Sequence, residues 1–332
     1  MPPRPAAPKR GKPAPARQLY VITRRGREGY IDASGTVVIE PKFDLCGKFS
    51  QGLAGFVKVV RVGGRPLARH GYIDEAGEIV VEPQYDEGGD FVDGLAAVSK
   101  DRRAGFIDRI GHAVIPLEYS SVTPFKDGLS LVTRDKRSFF IDRTGREVLA
   151  PNVQVVSQFF EGLAVFQERR KSGYIARDGR VAIPARFTIA TPFSDGLAVV
   201  RAGRDMSYID KTGEPAFELA LGDANDFSEG LAAARPASRK PDAFLDPRGY
   251  LDKRGRWAIA PRFRYAGPFR GGLACVSEDS QKFGFIGPDG EFVIAPTFKR
   301  AIKFDGDLAF VEIGRGSAYI DRKGKIVWKS GG

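Results

Sequence analysis

The sequence predicts an all-β fold, a tandem array of about nine small modules. Two columns of recurring residues and a third between them predict it. The first column reads GYIDASG at Gly29, GYIDEAG at Gly71, GFIDRIG at Gly105, FFIDRTG at Phe139 and GYIARDG at Gly173. It continues with SYIDKTG at Ser207, GYLDKRG at Gly249, GFIGPDG at Gly284 and AYIDRKG at Ala318. Its aromatic returns every 34 or 35 residues, with two intervals of 42. The second column, FSQGLA, FVDGLA and their relatives, places a leucine at 53, 95, 129, 163, 197, 231, 273 and 308. Between them runs an apolar stretch that ends in Pro-x-aromatic, as at Pro41 with Phe43 and Pro296 with Phe298. Self-similarity at such a period marks a repeat architecture.

Each unit divides into three strands. The LAAV stretch at Leu95 alternates as a half-buried strand does. A short polar hairpin leads to GFID at Gly105. The tetrad Asp-x-x-Gly makes the next turn, because Asp bonds the backbone ahead of it and Gly accepts positive φ. That suits a type I turn with a bulge. The third strand, VVI-like, ends at a proline that cannot donate to a ladder. No segment has long helical periodicity.

One such unit cannot bury its own aromatic face, so neighbours must stack. The three columns hold 23 of the 36 aromatics in the chain. A regular apolar column in a repeat is its seam, so these rings are core rather than a base-stacking platform. Leu19–Ile22 takes the LAAV place before the first GYID, and KIVWK ends the last unit. The expected organisation is one repeat domain over 18–330. Residues 1–17, proline-rich with five Lys or Arg and no acid, are expected to be a disordered basic tail. An open, twisted solenoid is the favoured arrangement. Propellers have four to eight blades of four strands, so a closed ring is the alternative.

Composition bounds the chemistry. The chain has 332 residues, 42% hydrophobic and 28% charged, as a soluble globular protein does. Nothing approaches the roughly 18 apolar residues of a membrane helix, and the N-terminus has no signal-like apolar core, so the default address is the cytoplasm. Cys46 and Cys275 are the only cysteines and His70 and His112 the only histidines, which leaves no disulfide framework and no zinc site. The turn aspartates Asp32, Asp74, Asp108, Asp142, Asp210, Asp252 and Asp321 form a column. Calcium needs six to eight oxygens per ion, and Ala176 and Gly287 break the column without breaking the repeat, so the turn reading prevails. No P-loop, GxSxG or GxGxxG motif is present. The expectation is no catalytic centre, no cofactor and no metal. The runner-up class is a carbohydrate-acting or cell-surface enzyme that uses turn carboxylates.

The pattern GYID–G–VI–P–F–F–GLA resembles the WG-repeat family, also called KWG repeats, over nearly everything after residue 17. The resemblance implies tandem β modules in bacterial proteins, with interaction roles and no set of catalytic residues. The chain departs from the namesake tryptophan: Glu28, His70, Ala104, Ser172 and Arg248 stand before the glycine.

Charge carries the functional expectation. The net charge is +11. The hairpins between the LAAV and GYID strands carry +14 and residues 1–17 a further +5, so the remainder is net negative. The excess lies in the first seven modules and is absent from the last two. Equivalent loops of a stacked repeat share one edge, which predicts a basic stripe. Arg24, Arg25, Arg27, Arg61, Arg65, Arg69, Arg102, Arg103, Lys136, Arg137, Arg169, Arg170 and Lys171 are its candidate residues. A solvated, charged edge that discourages association is the bland explanation. The expected function is a non-enzymatic scaffold that binds an acidic partner. A protein comes first because the aromatics are committed to the core; nucleic acid is second and an anionic membrane surface third. Two hairpins, at Lys58 and Arg235, are eight residues longer than the rest, and insertions of this kind often mark a binding face.

Overall fold

The computed structural model describes residues 18–330 except 239 and 241. Residues 1–17, the expected basic tail, lie outside the described residues. Strands account for nearly all regular structure, and a single 3-10 turn at Ala243–Leu245 is the one helical element among the described residues. No described helix is long and apolar enough to cross a membrane.

The first module is a three-stranded antiparallel sheet of β1 (Tyr20–Arg24), β2 (Arg27–Ile31) and β3 (Val37–Phe43). The second adds a strand in front: β4 (Leu45–Ser50), β5 (Leu53–Val62), β6 (Arg65–Asp74) and β7 (Ile79–Tyr85), paired in that order. Modules three, four, five, eight and nine repeat the four-stranded order, while modules six and seven share one seven-stranded sheet. The expectation of three strands per module is thus corrected. A fourth, first in chain order, lies at or just before the FxxG column. It pairs over only two residues in several modules, as at Ser121–Val122 and Ile189–Ala190, too short to leave an alternating pattern.

The glycine of GYID and the proline of the outer strand explain each other. Glu28 pairs with Phe43 but Tyr30 with Ile39, so β3 bulges opposite Gly29. Pro41 sits in the bulge, where no ladder donor is required. A Cβ on Gly71 would stand 2.5 Å from the Val81 carbonyl oxygen and 2.8 Å from the Pro83 nitrogen. Modules four, six and nine carry Phe139, Ser207 and Ala318 in place of this glycine, and all three lack the Pro-x-aromatic outer strand. In module four that strand shrinks to Glu147–Leu149.

Neighbouring modules are joined by one repeated contact. The GYID aromatic of each meets the FxxG phenylalanine of the next module. Tyr30–Phe49, Phe106–Phe125, Tyr174–Phe193 and Phe285–Phe304 have ring centroids 4.6–4.9 Å apart. Where the aromatic is tyrosine, its hydroxyl donates to a carbonyl two residues before that phenylalanine, as Tyr30 to Gly47 and Tyr174 to Thr191, each 2.8 Å. Apart from half-buried Phe49, these tyrosines and phenylalanines are buried, which is where such rings contribute most.

The ends of the array meet. Tyr319 of module nine packs on Tyr20 at 5.6 Å, in the manner of the other aromatic pairs. Its hydroxyl donates to the Val21 carbonyl at 2.8 Å. Tyr20, Ile22 and Ile31 share a core with Leu308 and Trp328. The contacts are those of the closed ring, the alternative to the favoured open solenoid. Among the described residues no strand precedes β1 in module one, and module nine meets β1 directly through Tyr319. In other modules the carbonyl equivalent to Val21 accepts a backbone N–H from the first strand, as Val199 does from Thr191.

Candidate anion-binding face

The antiparallel order gives the ring two faces. One carries the turns between first and second strands together with the Asp-x-x-Gly turns. The other carries the hairpins between second and third strands. What the sequence predicts as an edge is therefore a face of the ring.

The two faces treat their cations differently. On the turn face several modules tie a basic residue to the preceding module's turn. Arg177 meets the Asp127 carboxylate at 2.9 Å, Lys211 meets Glu161 at 3.1 Å, and Arg143 donates to the Asp93 carbonyl. The turns are also chained to one another: the Gln51 side chain accepts from Gly94 N at 2.8 Å, and Asp195 accepts from Gly230 N at 2.8 Å. The Asp column works inside its turns, as Asp74 accepts from the N–H groups of Ala76 at 3.0 Å and Glu78 at 2.9 Å. In the two modules without that Asp, Asp178 and Asp289, two residues on, cap the turn instead. The Thr144 and Thr212 hydroxyls foremost hold the Asp142 and Asp210 carboxyls below their ordinary range, with backbone N–H groups adding to the effect.

On the hairpin face the candidate residues divide. Arg27 pairs with Asp44, Arg69 with Asp86, and Arg137 with Glu147 at 2.7 Å. Arg103 donates to the Glu118 carbonyl at 2.9 Å. Arg24, Arg25, Arg61, Arg65, Arg102, Lys136, Arg169, Arg170 and Lys171 have no acidic partner among the described residues, and all but half-buried Lys171 are exposed. Sequence reasoning missed the pairing acids Asp44 and Asp86. The signal for them is present, because each directly follows the aromatic that pairs across from the hairpin root. It also missed Arg134, which bonds Glu118 at 2.6 Å and lies over Phe139. Burial pushes the His70 imidazole, at the root of the second hairpin, below its ordinary range, partly offset by Glu87.

Five of the nine unpaired cations, Arg25, Arg102, Lys136, Arg169 and Arg170, occupy costly positions. Each of the first five hairpins ends in a two-residue turn with both residues at positive φ, and Asn-Gly or Gly-Gly is what such a turn favours. Modules one and two place Gly26 and Gly64 second in the turn. Modules three, four and five place Arg102 (φ 62), Lys136 (φ 65) and Arg170 (φ 63) there, and Arg169 (φ 48) precedes Arg170. A non-glycine residue held left-handed costs roughly 1–2 kcal/mol.

A family model for the WG-containing repeat matches eight stretches: 29–58, 71–102, 105–137, 139–171, 173–203, 206–235, 249–281 and 283–315. The chain belongs to the WG-repeat family. Each WG repeat begins at or beside a third strand and ends in the second strand or hairpin of the following module. Among solved structures the chain is similar to one described as a crystal structure of the eukaryotic initiation factor, with 10% identity and a TM-score of 0.64 over 95% of this chain and 96% of that one. This likeness concerns the fold alone. BamB from Moraxella catarrhalis matches at 12% identity and a TM-score of 0.43, over 93% and 98% of the two chains. No curated protein matches the chain.

Proposed function

We propose that this WG-repeat ring is a non-enzymatic interaction scaffold that binds an acidic partner through its hairpin face. The observation that carries the reading is the set of unpaired Lys and Arg side chains at strained hairpin tips of modules three to five. On the opposite face Arg143, Arg177, Lys211 and Arg322 are tied to a neighbouring turn, whereas these tip cations have no acidic partner among the described residues and sit on backbone that favours Asn or Gly. Strain retained at a surface position is a pointer to use, and Arg grips carboxylates or phosphates in a two-pronged way. The sequence ranks an acidic protein first among such partners.

The test is an affinity pull-down from the native host at low and moderate salt. Charge reversal of Arg102, Lys136, Arg169 and Arg170 to Glu should weaken recovery of the partner and flatten its salt dependence, with the melting temperature nearly unchanged. Reversal of Lys282 and Arg315, in modules eight and nine, should do little. Equal recovery by both variants would reduce the face to a solvated surface.

A further inference from the structure

The hairpin of β5 and β6 projects from the cationic face. Both strands run ten residues, against five or six for the corresponding strands of module three. Their register is unbroken from Leu53 with Asp74 to Val62 with Arg65. The outer strand β7 covers only the root, because its pairing ends at His70 with Tyr85. Residues 58–69 therefore form a two-stranded ribbon outside the ring. The ribbon carries Lys58, Arg61, Arg65 and Arg69 and no acid. It also exposes apolar side chains, Val59 at 55% and Leu67 at 38%.

We infer that this ribbon docks the ring onto an anionic lipid bilayer. The inference rests on the cationic face being a binding surface and names its partner. Anionic headgroups satisfy the cations, and the boundary with the acyl chains takes up Val59 and Leu67. A soft surface receives a convex ribbon on both sides, whereas an acidic protein would need a groove of the same shape lined with apolar groups. The other long insertion presents Phe244 and Leu245 on the same face, 69% and 50% exposed. Arg235 steadies that turn through the Phe244 carbonyl at 2.6 Å. Asp242 and Asp246 flank the pair, and their charge opposes close approach to anionic headgroups. The β5–β6 ribbon is thus the leading contact.

The experiment is co-sedimentation of the full chain with vesicles of phosphatidylcholine alone and of phosphatidylcholine with one quarter phosphatidylglycerol, beside a soluble poly-glutamate control. The expected result is at least tenfold stronger partitioning onto the anionic vesicles. Changing Lys58, Arg61 and Arg65 to Gln should lower it by about a hundredfold, since each cation near such a surface is worth roughly fivefold. Val59→Ser with Leu67→Ser should lower it several-fold while leaving the salt slope and the melting temperature unchanged. Binding to poly-glutamate without binding to anionic vesicles would overturn the inference and leave the cationic face standing. So would vesicle binding that the Val59 and Leu67 changes do not weaken. Failure on both poly-glutamate and vesicles would remove the face as well.

Discussion

Arg169 and Arg170 hold positive φ side by side, where a two-residue hairpin asks for Asn-Gly. If the strain is real, relieving it must stabilise the fold. Arg170→Gly should raise stability by about 1 kcal/mol, the left-handed cost less the extra entropy of glycine in the unfolded chain. A urea midpoint shift checks it, and a loss of stability would show that the arginine contributes packing instead. The acid limb is also a residue-scale matter. The folded Asp210 carboxyl lies below its ordinary value of 3.8, chiefly through the Thr212 hydroxyl. A depressed carboxyl stabilises the fold above its unfolded value, and that contribution fades as pH falls through the folded one. Asp210→Asn should therefore reduce stability near neutrality and flatten the decline below pH 4, as read from thermal melts across pH. An unchanged acid limb would mean that the turn tolerates either protonation state. The turn aspartates were legible in the sequence because an Asp-x-x-Gly turn is local chemistry.

At the scale of the element, the proline and glycine columns turn out to be one device. The bulge at Pro41 presses backbone against Gly29, and modules without the glycine also lack the Pro-x-aromatic strand. Gly173→Ala places a Cβ 2.5 Å from the Ile183 carbonyl oxygen and should destabilise by roughly 2 kcal/mol or more. Ser207→Ala, at the same position of a module without the bulge, should stay within about 0.5 kcal/mol. Equal effects of the two in chemical denaturation would separate the glycine from the bulge. Three strands per module could be read from alternation and turns. The first strand could not, because two paired residues such as Tyr265 and Ala266 followed by Gly-Pro-Phe carry no period. The hairpin cations were equally visible, but their division into paired and unpaired was not. Arg27 and Asp44 come together only through the register of β2 on β3.

The whole molecule depends on an angle that no short motif encodes. The rotation between neighbouring sheets decides whether nine modules run on or close, and the tight aromatic pairs at each junction set it. Here Tyr319 reaches Tyr20 and Val21, and closure turns an edge of hairpins into one face of the ring. Among the described residues the seam is held by packed side chains, by the hydrogen bonds of Tyr319 to Val21 and of Asp307 N–H to Tyr20, and by the Lys48–Asp305 ion pair. Because the proposed partner surface exists as a face only if the ring closes, small-angle X-ray scattering of the full chain is the decisive measurement. A closed ring of this length predicts a radius of gyration of about 20 Å, slightly enlarged by residues 1–17. Nine sheets stacked in an open row at ~10 Å spacing would give about 28 Å, and a value there would contradict the ring.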